Sequence, residues 1–173
     1  MGKHAVNAET FVDKKELVQD WILLTFDIPA KEKSLRGKFL ASIYALGAQI
    51  HTESVYLMPF SDEAMKWAAK LESAGHAVVW QAHQPDEKKA WEYTIKYDTG
   101  LSARCDNIEQ RLKIAEDYIV AGKLVVANAM AVKTGKLLQQ LSQIASGGYN
   151  PPWLMPRIEL LVKEWKNIYG GDE

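Results

Sequence analysis

One short apolar segment near the start of the chain, residues 21–27, constrains the fold most. It reads Trp-Ile-Leu-Leu-Thr-Phe-Asp, and nearly every side chain in it is apolar. Such a run is typical of a central β-strand that is covered on both faces. Pro29 is expected to end the strand, because proline donates no hydrogen bond to a neighbouring strand.

The residues that follow predict helices and strands in turn. A helix is predicted from Ser34, a suitable N-cap, to Gly47, a suitable C′ residue. Its buried stripe recurs at helical spacing and consists of Leu35, Phe39, Ile43 and Leu46. The next extended segment is residues 49–58. Its polar residues 51–54 are predicted to hold a bend or bulge that divides it into two short strands.

A second helix is predicted to begin after Ser61, with Asp62 and Glu63 in the first turn, where the helix dipole favours acidic side chains. Residues 76–83 then predict another apolar strand. The resulting order of strand, helix, strands, helix and strand predicts a ferredoxin-like split βαβ arrangement.

Residues 91–97 alternate strictly between apolar and polar side chains. This alternation predicts a half-exposed strand at an edge of the sheet. That strand would either extend the same sheet or pair with the edge of a partner.

Beyond Gly100 the periodicity becomes helical. Asp106 and Glu109 have the spacing of a capping box and predict a helix start. Gaps in the pattern separate two further predicted helices, at residues 124–144 and 156–168. Small residues that would let another helix approach closely recur every four positions in the first of these: Ala127, Ala131 and Gly135.

We therefore predict an α+β protein with three regions. Residues 1–20 form an N-terminal arm, residues 21–100 a ferredoxin-like domain, and residues 101–173 a helical region.

Composition narrows the function classes. The formal net charge is −1, so the chain as a whole does not attract nucleic acid or an anionic membrane, and any polyanion site must be a local patch. The single cysteine, Cys105, fits a reducing compartment. No apolar run approaches the roughly 20 residues that cross a bilayer, and residues 1–20 lack a signal-peptide core. We expect a cytoplasmic protein that does not contact a membrane.

Catalytic signatures are scarce. The sequence contains no GxSxG, P-loop, HExxH or CxxC motif, and its histidines lack metal-ligand spacing. We therefore expect a binding protein without a cofactor rather than an enzyme. The aromatic residues of the strands are expected to be core rather than a stacking platform for bases; they are Tyr56, Trp80, Trp91, Tyr93 and Tyr97.

Asp27 is the alternative candidate for catalysis, because it lies at the carboxyl end of the first strand. A carboxylate there can hold Mg²⁺, especially if a two-fold axis supplies a second copy. The other interpretation is a turn-capping aspartate, since aspartate is common in proline turns.

A basic cluster marks the start of the first predicted helix. Its members are Lys31, Lys33, Arg36 and Lys38. Basic charge at a helix start opposes the helix dipole, so it does not serve helix stability. Free N–H groups at a helix start also bind anions. We therefore choose Lys33, Arg36 and Lys38 as candidate oxyanion contacts; the alternative is a solvated helix face that Glu32 partly neutralises.

The N-terminal half resembles the N-terminal domain of the chromate resistance regulator ChrB. The matching stretches are residues 21–29, 35–36, 45–48 and 54–59. That family has a WLLL strand ending in LP, a helix that begins with LR and ends in LGA, and a GVYLLP strand. Ser54 stands here in place of the glycine. The resemblance covers residues 21–83 and implies a regulatory protein that responds to chromate or another oxyanion.

The same region is similar, more distantly, to the small CRISPR-associated nuclease and integration-adaptor family and to the C-terminal domain of PaaX-type repressors. An aspartate ends the first strand in the CRISPR-associated family, as Asp27 does here. Both groups imply dimers built through sheet edges, so a homodimer is expected. Because no helix-turn-helix precedes residue 21, we expect that the chain is not a complete PaaX-type repressor.

Three hypotheses follow. The first is a ChrB-like regulatory protein that binds a small oxyanion. The second is a Mg²⁺-dependent nuclease, in which two copies of Asp27 hold the metal and nucleic acid is the substrate. The third is a dimeric interaction module without catalytic activity.

Overall fold

The apolar segment around Trp21 forms an inner strand of a sheet, as predicted, but the expected covering of both faces is wrong at Leu23 and Thr25, which are only partly buried. The computed structural model describes residues 17–26, 28, 31–52, 54–73, 77–147 and 149–170. The elements in chain order are β1 (Asp20–Phe26), α1 (Lys33–Ala45), β2 (Gln49–Thr52), β3 (Val55–Pro59), α2 (Asp62–Ser73), β4 (Ala77–His83), α3 (Glu87–Val120), α4 (Leu124–Ser146) and α5 (Leu154–Tyr169). The protein is thus α+β, with a mostly helical C-terminal half.

The four strands form one antiparallel sheet in the order β2-β3-β1-β4. Leu23 of β1 lies opposite Leu57 of β3 on one side and Trp80 of β4 on the other. Successive side chains of a strand point to opposite faces of the sheet. One face therefore carries Ile22 and Leu24 of β1, and the other carries Leu23 and its two partners.

Helices α1 and α2 cover the face that carries Ile22 and Leu24. Phe39 of α1 packs on Phe26, with the ring centroids 5.0 Å apart. Ser61 begins α2 as predicted, since its Oγ accepts a hydrogen bond from the Ala64 amide at 3.0 Å. Helix α1 begins one residue before the predicted cap, at Lys33, and it has no side-chain cap.

The prediction of an edge strand at residues 91–97 is wrong, because these residues lie within α3. Asp86 caps this helix, with its Oδ1 accepting a hydrogen bond from the Lys89 amide at 3.1 Å. The buried residues of its first half recur every three or four positions: Ala90, Thr94, Tyr97 and Leu101. That stripe packs against the sheet, so tertiary contacts override the strand propensity of the alternating sequence.

The prediction that Asp106 and Glu109 start a helix is also wrong, since α3 runs without a break from residue 87 to residue 120. Both carboxylates instead bind side chains. Asp106 accepts a hydrogen bond from Arg157 of α5, and Glu109 accepts one from Lys113 at 2.7 Å. The predicted boundary at residue 100 consequently falls inside a helix.

The remaining helices agree with the sequence pattern. Gly122 separates α3 from α4 with a positive φ of 71°. The small residues of α4 do admit a close neighbour, because Trp165 of α5 packs on Gly135 and its Nε1 donates a hydrogen bond to the Ala131 carbonyl at 3.1 Å. The polar residues after Gln49 divide β2 from β3, with an irregular register at residues 50–52. Of the predicted arm, residues 1–16 lie outside the described residues.

Candidate functional site

The sheet face opposite α1 and α2 is exposed over much of its area. We define the open face as Leu23, Thr25, Val55, Val78 and Trp80, which share this face by strand register. Trp80 is 58% exposed and Val78 is 47% exposed. The prediction that Trp80 is a core residue is therefore wrong. Large apolar side chains grouped on an exposed surface mark an interaction site more often than isolated ones do.

The five side chains of the open face are uncharged and project from paired strands. They are apolar except for the Thr25 hydroxyl, which donates a hydrogen bond to the Val78 carbonyl at 3.4 Å. Trp80 stands opposite Leu23, so the central strand fixes its position. A surface of this kind presents an apolar anchor without requiring charges to be desolvated, which suits a protein partner.

The other end of the same face is covered by α3. The indole of Trp21 meets the rings of Tyr93 and Tyr97 edge-on, at centroid distances of 6.0 and 6.2 Å. The ring of His51 stands edge-on to Tyr93 at 5.2 Å. Burial, and second the charge of Lys96, lower the pKa of His51 below its ordinary value.

The half-buried guanidinium of Arg104 ties α3 to the end of α1. Arg104 donates hydrogen bonds to the carbonyls of Tyr44 at 2.6 Å and Ala48 at 3.1 Å. Carbonyls at the end of a helix lack partners within it. The Tyr44 carbonyl also accepts a hydrogen bond from the Gly47 amide at 3.0 Å, so Arg104 adds a second partner there. Burial lowers the pKa of Arg104. The sequence patterns gave no indication of this residue, because its partners are backbone atoms about 60 positions away.

The predicted anion contacts lie on α1 but do not share one side of it. Lys33 is the first residue of the helix and is exposed, and the Arg36 guanidinium lies over the Phe26 ring at 5.7 Å. Lys38 is also exposed. Two residues of a helix correspond to a rotation of about 200°, so Arg36 and Lys38 leave opposite sides. Lys31 lies in the turn before the helix. Anion binding by these residues stays a prediction.

Asp27 lies outside the described residues, so its role as a Mg²⁺ ligand stays a prediction. Among the residues that are described, no group of three or more histidine, cysteine, aspartate or glutamate side chains is placed to hold a metal ion. Within the same ranges, no helix is long and apolar enough to cross a membrane.

The comparison with protein families gives one match, over the region that contains the sheet. Residues 14–93 match the family described as the PaaX protein central Cas2-like domain. The match spans β1 to the first turns of α3 and supports a relationship of this region to PaaX and Cas2-like domains. No curated protein and no solved structure matches the chain. The resemblance to ChrB stays a prediction.

Proposed function

We propose that this chain is a regulatory or interaction module that acts as a homodimer, with two copies packed through the open face. The observation that carries the proposal is the exposure of Trp80 and Val78 on an otherwise ordered antiparallel sheet. The match to a PaaX central Cas2-like domain is consistent with such a module.

The geometry favours a second copy as the partner. A two-fold contact brings the same patch of both subunits together, so the patch must be complementary to itself. The open face meets this condition, because it carries no charged side chain that would face its own copy. Exposed tryptophan is also among the residues that most often anchor a protein interface.

The strand order supports a ferredoxin-like description of the N-terminal half, which we include in the proposal. The elements β1-α1-β2-β3-α2-β4 and the sheet order β2-β3-β1-β4 are those of a split βαβ arrangement. In such a fold both helices lie on one face, which leaves the other face for a partner.

Sedimentation of the full chain over a range of concentrations tests the dimer. We expect the wild type to dimerise and Trp80→Glu to raise the dimer Kd by at least about thirty-fold, the effect of losing a 2 kcal/mol hot spot. Trp67→Glu is the matched control, because Trp67 is 48% exposed but belongs to α2, on the opposite side of the sheet. A monomeric wild type, or equal effects of both variants, would exclude the open face as the dimer interface.

An oxyanion response is a second candidate, supported by the start of α1. The first turn of α1 contains no acidic residue, has no side-chain cap, and carries Lys33 and Arg36. Its free N–H groups and these cations suit an oxyanion such as chromate, as a ChrB-like regulator would need.

Calorimetric titration with chromate, sulfate and phosphate tests this candidate. We expect millimolar binding that Lys33→Gln and Arg36→Gln each weaken, while Lys38→Gln, on the opposite side of α1 from Arg36, and Lys66→Gln on α2 leave it unchanged. The absence of heat at millimolar anion would remove the oxyanion proposal and leave the dimer proposal untouched.

A further inference from the structure

A cavity of about 450 Å³ lies on the side of the sheet away from the open face. It is bounded by α1, α2, the end of β3, Tyr97 of α3, the C-terminal end of α4 and Tyr149. Most of its lining is apolar and includes Leu46, Met58, Trp67, Leu71 and Ile144. Volumes of roughly 300–1,000 Å³ with mainly apolar walls are typical of sites for small molecules.

Two charged side chains line the cavity, and both come from α2. Glu63 lies in the first turn of this helix and Lys70 in its last turn. Seven residues separate them, which is about 10 Å along the helix axis. An elongated molecule that lies along α2 would therefore have its ends at different charges.

The two ends are not equivalent for an ionic ligand. At the Glu63 end, the positive end of the α2 dipole offsets the carboxylate charge. At the other end, the Lys70 ammonium lies over the Trp67 ring, 3.8 Å from the ring centroid, which holds it against the wall of the cavity. The charged head of a ligand is therefore bound more strongly at the Lys70 end, where the ammonium group favours an anion.

We propose that this cavity binds a small amphiphilic anion, whose apolar body lies against Met58 and Ile144 and whose carboxylate or similar head pairs with Lys70 Nζ. The walls come from both halves of the chain, so the ligand would stabilise the packing of α4 on the layer formed by α1 and α2. This inference does not depend on the dimer, because the open face lies on the other side of the sheet.

Calorimetric titration of the full chain with three eight-carbon probes tests the charge of the head. The probes are octanoate, octanol and octyltrimethylammonium. We expect octanoate to bind at least about five-fold more tightly than either of the other two probes. Within the carboxylates from hexanoate to octanoate, we expect binding to become about four-fold tighter with each added methylene. Tighter binding of the ammonium probe, or no binding of octanoate at millimolar concentration, would overturn the proposal.

Two pairs of variants test the location. Ser42→Phe places a ring in the cavity from an exposed position of α1, whereas Ala41→Phe adds the same ring beside it, outside the lining. We expect the first to weaken octanoate binding at least ten-fold and the second by less than two-fold.

The second pair removes a charge. Lys70→Gln should weaken the binding of octanoate at least about five-fold and change the binding of octanol by less than two-fold. Lys66 is an exposed residue of α2 outside the lining, so Lys66→Gln should change the binding of neither probe. Both pairs keep surface positions of the helices, so the fold is retained and can be checked by circular dichroism. Equal effects within either pair would overturn the assignment of the site.

Discussion

Two tryptophans share one face of the sheet and have opposite environments. Trp21 and Leu23 are two residues apart on β1, so their side chains point to the same face of the sheet. Trp80 of β4 lies opposite Leu23, so both indoles are on that face. Trp21 is 2% exposed and Trp80 is 58% exposed. Trp21 lies on the inner strand β1 and packs against Tyr93 and Tyr97 of α3, whereas Trp80 lies on the edge strand β4 and is left exposed. Strand pattern therefore determines which face a residue occupies, and the path of a later helix determines whether that part of the face is buried.

Replacing Trp21 should have the largest effect on stability. Trp21→Ala removes the edge-on contacts to Tyr93 and Tyr97 and the hydrogen bond from the indole Nε1 to the Val18 carbonyl at 3.1 Å. We expect the free energy of unfolding to fall by about 3–5 kcal/mol, as for other buried aromatic residues. Urea denaturation measures it. A loss below about 1 kcal/mol would mean that α3 does not cover this end of the sheet.

Arg104→Gln should have the next largest effect, because it removes the link between α3 and the end of α1. Two hydrogen bonds from a charged group are lost, and only the Tyr44 carbonyl keeps a described partner, the Gly47 amide. We expect a loss of about 1.5–3 kcal/mol in the same measurement. Arg111→Gln is the matched control, since Arg111 bonds only to Asn107 of its own helix among the contacts described, and it should cost under about 0.5 kcal/mol.

The covered end should also show a pH dependence that the open end lacks. His51 is held neutral by burial and by Lys96, so its pKa in the folded chain is lower than the ordinary value of 6.5. The unfolded chain therefore binds the proton first as pH falls. Stability should be full above about pH 6.5 and should decrease below it until His51 is protonated in the folded chain as well.

The free energy of unfolding at several values between pH 8 and pH 5 measures this effect. His51→Gln should reduce the loss of stability in the acidic part of the range. Equal pH profiles for the variant and the wild type would show that His51 is not held neutral by the fold.

Replacing Trp80 should have the smallest effect on the monomer. Trp80→Thr keeps a strand-forming residue at an exposed position, so the free energy of unfolding of dilute protein should change by no more than about 0.5 kcal/mol. A loss comparable to that of Trp21→Ala would show that this end of the face is covered as well, and the contrast between the two tryptophans would disappear.

Much of the sheet half could be predicted from the sequence because its signals are local. The apolar run of β1, the stripe that ends at Gly47 and the cap at Ser61 each depend on neighbouring residues. The structure of residues 91–97 could not be predicted in this way. Their apolar and polar side chains alternate as in a strand, but apolar residues also recur every three or four positions as in a helix. The Asp86 cap and the contact with Trp21 decide between them.

The candidate site was predictable only in part. The basic residues of α1 can be recognised in the sequence. That Arg36 and Lys38 leave opposite sides follows only once both are known to lie within one helix. The cavity joins side chains from Ser42 to Tyr149, and Arg104 binds backbone atoms about 60 residues away. No local spacing records such distant neighbours.

The sequence by itself determined the α+β class and the two faces of the central strand, because alternation along a strand is a local property of the chain. The tertiary structure alone decided that α3 covers Trp21 and leaves Trp80 exposed. Both residues lie on one face of the sheet, but Trp21 is on an inner strand that packs against the helix beginning at Glu87, whereas Trp80 is on an edge strand and stays exposed.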